Sequence, residues 1–189
     1  MGVGEGPFAL FETETFHRHL SNFSRIYLLV GLLEKSLQTV VPPILSSYSQ
    51  LHGLANWYDA LQLSQKGENS LRIAIKKAEQ SRLKRESIPF EGYLPLSFWR
   101  YLVRRNSYGT LWVPILFEAF PNLPNPKRLS TFKELDRRLG HAVKARNQIA
   151  HFEFRDGQNL DISIQNLLWL LGTLDVGLRI IGERLIADT

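Results

Sequence analysis

The chain has no cysteine in its 189 residues. This excludes disulfides and thiolate metal sites, and a reducing, cytoplasmic setting is the simplest expectation. His17 and His19 stand two apart, a poor ligand spacing on a helix, and no His–Glu cluster accompanies them. Neither a metal nor another cofactor is therefore expected. Long apolar runs are scarce too. Glu34 and Lys35 interrupt the longest candidate, so no association with a membrane is expected. The opening MGVGEGPF lacks the basic region of a signal peptide, and Gly6 stands where myristoylation needs a hydroxyl residue. Repeats, low-complexity linkers and convincing strand alternation are missing as well.

What is present is an ordinary globular composition, 44% hydrophobic and 22% charged. The length suits one domain over 1–189, with a short flexible start at about 1–10. The formal charge of +5 favours anionic partners, nucleic acid above all, although a plain solvated basic surface has the same composition.

Apolar spacing is helical nearly throughout. Phe16, Leu20, Phe23, Tyr27, Val30, Leu37 and Val41 recur at steps of three and four, with Glu34 in the one polar slot. Pro42 and Pro43 are expected to end that helix. Shorter helices are expected around 44–51 and 57–63, and Asn69 can cap a polar helix to about Glu86. Two apolar helices over 96–105 and 110–120 precede a Pro- and Asn-rich loop at 121–130. Thr131 and Glu134 form a capping-box pattern opening a helix whose apolar face includes Phe132, Leu135, Leu139, Ala142, Val143, Ile149 and Ala150. Asp156-Gly157 reads as a turn, and Asp161 can cap one last helix reaching Ile181. The expected fold is all-α, a bundle of long antiparallel helices with extra short ones.

Chemistry concentrates in RNQIAH, residues 146–151. Arg146 falls on the apolar face of its helix, as Glu34 does on the first, and charges in apolar seams are costly unless paired or facing a wet cleft. Together they suggest a polar pocket within the bundle. Five residues of helix turn through about 500°, so Arg146 and His151 point about 140° apart on a straight helix. Either the helix ends or bends near His151, or two chains bring their motifs together. Asn147 lies four before His151, shares its face, and can orient it. A histidine can move protons at neutral pH and an arginine can hold the charge of a five-coordinate phosphorus, which suits metal-independent cleavage of RNA through its 2′-hydroxyl. With 15 arginines and five histidines, Arg-x4-His also arises readily by chance, and a structural salt bridge with a surface histidine uses the same residues.

RNQIAH followed by FEF resembles the Arg-Asn-x-x-Ala-His motif of the HEPN superfamily, in particular its Abi-like (abortive infection) proteins. LSFWRYLVRR resembles that family's Leu-Ser-Phe-Gly-x-Trp segment, and LWVPILFEAFP, residues 111–121, its Leu-Trp-x-x-Leu…Phe-Pro segment. The resemblance implies a HEPN-like helical fold and a homodimer whose paired motifs form one RNase cleft. It implies a phage-defence or toxin endoribonuclease, restrained by an antitoxin protein or RNA or held in a larger defence complex. Arg146 and His151 become the catalytic pair, Asn147 the polar helper and Glu34 the acidic residue of an early helix. The alternative within the same family is a non-catalytic dimerisation or RNA-binding module. This chain departs from the pattern where Phe98 and Trp99 are adjacent, where Phe152 replaces a second histidine, and where Glu153 replaces a tyrosine that partner enzymes modify.

Arg137, Arg138, His141 and Lys144, on the helix leading to the motif, are candidate RNA phosphate contacts. Lys76, Lys77, Arg82, Lys84 and Arg85 form a further basic helix that serves equally as a solvated face. Trp99, Trp112 and Trp169 read as core.

Overall fold

The computed structural model describes residues 14–83, 88–151 and 160–187. The expected flexible start and the expected Asp156-Gly157 turn lie outside them. The described residues contain helices and no strand, so the fold is all-α as expected.

The first helix, α1 (Glu14–Leu51), runs for 38 residues, about 57 Å at 1.5 Å per residue. Its buried stripe of Phe23, Ile26, Leu29, Val30, Leu33, Leu37, Val41 and Leu45 follows three- and four-residue steps. The helix does not end at Pro42 and Pro43, and the separate helix expected over 44–51 is its continuation. Each proline removes a ladder donor at a cost of roughly 3 kcal/mol. Burial of Val41 and Leu45 on the same face offsets that cost, so packing overrides local preference. By length and composition, Leu20–Leu51 could cross a membrane, with mean hydropathy 1.3, so Glu34 and Lys35 do not interrupt it as expected. Half of that window is buried in the protein's own core.

The chain beyond α1 is less regular than expected. A short 3-10 turn at Trp57–Ala60 replaces the helix expected to Leu63. The next helix, α2 (Gln65–Leu83), starts four residues before Asn69 because Ser64 holds its first turn, accepting from Gly67 N at 3.4 Å. The helix α3 is only Leu96–Tyr101. The helix expected over 110–120 is instead a wide turn at Tyr108–Trp112 and a 3-10 turn at Leu116–Ala119. Pro114 lies between the two and cannot donate to a continuous ladder. These segments earn their place by burial: Trp57, Phe98, Trp99, Trp112 and Phe120 all lie in the core.

The helix α4 (Leu129–Ala150) opens two residues before Thr131, and the expected capping box does not form. Thr131 Oγ1 donates to Pro124 O at 3.1 Å, and Glu134 is drawn to two arginines. The expected last helix is two, α5 (Leu160–Leu174) and α6 (Val176–Ala187). Asp161 sits inside the first turn of α5, and Asp175 divides the pair by capping α6 through Gly177 N at 2.5 Å and Leu178 N at 3.3 Å. The turn lays α6 antiparallel on α5, with Arg179 against Gly172 and Gly182 against Leu168 and Leu171.

Gly182 is the tightest point of this packing. A Cβ there would approach Leu29, Leu168 and Leu171 at 3.0–3.1 Å simultaneously. Alanine gains roughly 1 kcal/mol of helix propensity, but three buried leucines must shift, at a cost of roughly 1–3 kcal/mol. Gly182→Ala is therefore expected to lower the urea midpoint at unchanged slope. A midpoint that rises would show that α6 is loosely seated.

Candidate functional site

Tyr27, Val30, Gly31 and Glu34 fall at i, i+3, i+4 and i+7 on α1 and form one stripe. Arg146, Ile149 and Ala150 repeat that spacing on α4. With Lys35, these residues line an open groove of about 530 Å³. Glu34 and Arg146 thus line one groove, but it is open and mostly apolar, not the polar pocket within the bundle that the sequence suggested. Tyr27, expected as part of the apolar face, is 68% exposed beside the groove. Its position seven residues before Glu34 was the signal for this placement.

The two charges have different surroundings. Glu34 Oε2 accepts from Leu96 N at 3.2 Å, satisfying an amide at the start of α3 that no side chain of α3 caps. The carboxylate therefore ties α1 to α3. Arg146 is exposed, and its side chain makes no hydrogen bond or ion pair among the described residues. Glu34 and Arg146 share the groove without pairing, and the structural salt bridge open to Arg146 in the sequence does not form with Glu34.

His151 ends α4 at φ −105° and ψ 4°, with its backbone N–H donating to Asn147 O at 3.1 Å. The helix stays regular through Ala150, so the 140° separation from Arg146 persists. Of the routes expected to unite them, the first is met in part, because the helix does end beside His151, at Ala150, yet that end does not bring the histidine to Arg146. His151 is exposed but absent from the lining of the groove. It continues the stripe of Arg137, His141 and Lys144 instead. Asn147 is exposed too, and its link to His151 is through its backbone carbonyl, not through an orienting side chain.

The four candidate RNA-contact residues divide. Arg137 Nε and Nη2 donate to Glu134 at 2.9 and 2.7 Å, and Arg138 Nε at 2.6 Å. Arg138 also donates to Asn166 Oδ1 at 3.4 Å and lies 4.3 Å over the Trp169 ring, which is half-buried rather than core. Both guanidinium groups are therefore partly neutralised by a carboxylate that the sequence reading placed in a cap. His141 and Lys144 are exposed. Arg137, Arg138 and His141 line a shallow cleft with Asp161 and Asn166 of α5. Among the described residues no cluster of His, Asp or Glu is arranged to hold a metal ion.

No protein-family model matches the chain, and no curated protein or solved structure is significantly similar to it.

Glu134 carries a pH signature. Hydrogen bonding from Arg137, then from Arg138, pulls its carboxyl from the ordinary 4.5 to about 2 against an opposing effect of burial. A depressed carboxylate stabilises the fold above its unfolded value and loses that effect as pH falls toward its folded one. The side chain is 38% exposed, so screening leaves roughly 1 kcal/mol or less. Glu134→Gln is expected to be slightly less stable than the parent at neutral pH, with the gap narrowing as pH drops from about 4.5 toward 2. A gap independent of pH would show that the carboxylate's charge contributes nothing.

Proposed function

We propose that this chain is a metal-independent endoribonuclease of the phage-defence or toxin type, acting as a homodimer. The observation that carries this reading is the exposed guanidinium of Arg146 in an open groove, without a carboxylate partner among the described residues, on the helix that ends at exposed His151. A solvated guanidinium that is not held by an ion pair keeps its donors available to an anionic ligand. In this reading a ribose 2′-oxygen attacks the adjacent phosphorus while His151 takes its proton. Arg146 holds the equatorial charge of the five-coordinate phosphorus. The bond from phosphorus to the 5′-oxygen breaks, the leaving oxygen takes up a proton, and the products are a 2′,3′-cyclic phosphate and a 5′-hydroxyl end. Asn147, Lys144 and His141 stand on exposed surface along the same helix, where they can touch the strand's phosphates. The HEPN-like resemblance of RNQIAH is the second support, and a cytoplasmic setting with an antitoxin or defence-complex partner belongs to the same reading.

In this reading the separation of about 140° is bridged by His151 reaching the groove of a partner protomer. Arg146→Ala and His151→Ala are each expected to reduce RNA cleavage in EDTA by roughly 10²–10⁴, with the fold intact by circular dichroism. Mixing the two inactive variants should restore cleavage, because some mixed dimers hold one complete site. Gly31→Leu tests the groove itself. A Cβ at Gly31 meets nothing within 4 Å, so the longer side chain enters the groove without disturbing the core. It should block cleavage and leave stability unchanged or raised. Unimpaired cutting by all three variants would dismiss this site. The same separation favours a second reading, a non-catalytic RNA-binding or dimerisation module. RNA binding without any EDTA-resistant cutting by the parent chain would establish it.

A further inference from the structure

Between the start of α2, α3 and α4 lies another cavity, of about 180 Å³, sharing no lining residue with the Glu34–Arg146 groove. Its charged and small polar lining is Ser64, Lys66, Ser70, Ser97, Arg100 and Arg104, with no carboxylate among them. Tyr101 also borders it, but its hydroxyl is committed to Gln62 O at 3.0 Å. The hydroxyl of Ser70 is committed to Lys66 O, also at 3.0 Å. Ser64 Oγ accepts from Gly67 N, which leaves its own proton free for an outside acceptor. Lys66 and Arg104 make no ion pair among the described residues, and Arg104 lies 5.8 Å from the Tyr101 ring centroid.

Arg100 is placed there by the backbone of α4. Its guanidinium lies over Gly140, where a Cβ would come within 3.0–3.2 Å of three of its atoms, and its Nε is 3.5 Å from Asp136 Oδ1. A glycine within a helix costs roughly 1 kcal/mol relative to alanine. Here it gives the guanidinium room to cross the helix. The result is three cations around one cavity with a single carboxylate behind them, and available donors without a matching acceptor. Such a site attracts an anion. Its volume is below the roughly 300 Å³ at which ligand pockets for whole organic molecules begin.

We propose that this cavity seats a single phosphate group, a site separate from the cleavage groove. The phosphate can arrive free in solution or as one link of a polynucleotide backbone, and the chemistry of recognition is the same. The test uses the full chain carrying Arg146→Ala, so that RNA stays uncut and the outcome does not depend on the nuclease reading. Inorganic phosphate is titrated against chloride at matched ionic strength, with amide chemical shifts as the readout. Saturable shifts at Lys66, Ser97 and Arg104 are expected. Adding Lys66→Gln and Arg104→Gln, both exposed positions, should weaken binding by roughly tenfold to a hundredfold, whereas Lys133→Gln should leave it unchanged. A short single-stranded oligoribonucleotide then separates the two sources. If a strand is the source, it competes with phosphate, and the double variant lowers the log–log salt slope of its binding by about 1.4. If free phosphate is the source, the slope is unchanged while phosphate binding is lost. Absence of saturable phosphate shifts, or full binding by the double variant, overturns the proposal.

Discussion

The structure depends on α1 remaining one helix across Pro42 and Pro43. Two adjacent prolines leave two carbonyls of the ladder without amide partners, yet the buried stripe continues through Val41 to Leu45. Side chains on this rod then hold the start of α3 and the irregular segments that flank it in the fold. Glu34 receives Leu96 N, Gln38 Nε2 donates to Leu94 O at 2.9 Å, and Ser49 Oγ reaches Trp57 O at 3.4 Å. If α1 had stopped at the prolines, Ser49 would not meet the turn that places Trp57 against Phe90 and Trp99. The aromatic cluster, and through it α3, is anchored to a helix that local preference alone would break.

The exposed surface of α4 is divided in a way that matters for chemistry. One stripe faces α1 and carries Arg146 into the groove. Another runs from Arg137 through His141 and Lys144 to His151. A third faces α3, where Gly140 lies under Arg100 and Asp136 pairs with it. Cations appear on or against all three, and Glu134 and Asp136 offset them only toward the N-terminal half. The C-terminal half of α4, from His141 onward, has no acidic residue. A basic overall composition has become a directional charge distribution along one helix.

Much of this was legible in the sequence. The three- and four-residue steps of α1 and α4 identified long helices, and the polar slot at Glu34 together with Arg146 identified the groove, because one charge in an apolar stripe must face something other than core. Boundaries were harder to read. The break at Asp175 was hidden because leucines and isoleucines continue on both sides, while one aspartate side chain captures two amides of the next turn. The Thr131–Glu134 box failed because both members had stronger tertiary partners. The regions around Trp57 and Trp112 are irregular because bulky aromatic burial outweighs a continuous hydrogen-bond ladder. The position of Arg100 was unreadable, since only contact with α3 reveals why residue 140 is glycine.

The four tryptophans are unequally placed. Trp57, Trp99 and Trp112 are sealed in the core, whereas Trp169 reaches the surface beneath the Arg138 guanidinium. The molecule thus contains its own optical probe, three indoles shielded from aqueous quenchers and one accessible. Because Arg138 covers that indole while holding Glu134, any ligand drawing the guanidinium away alters the emission of Trp169 first. Events on the α4–α5 surface can be followed by fluorescence without attaching a dye.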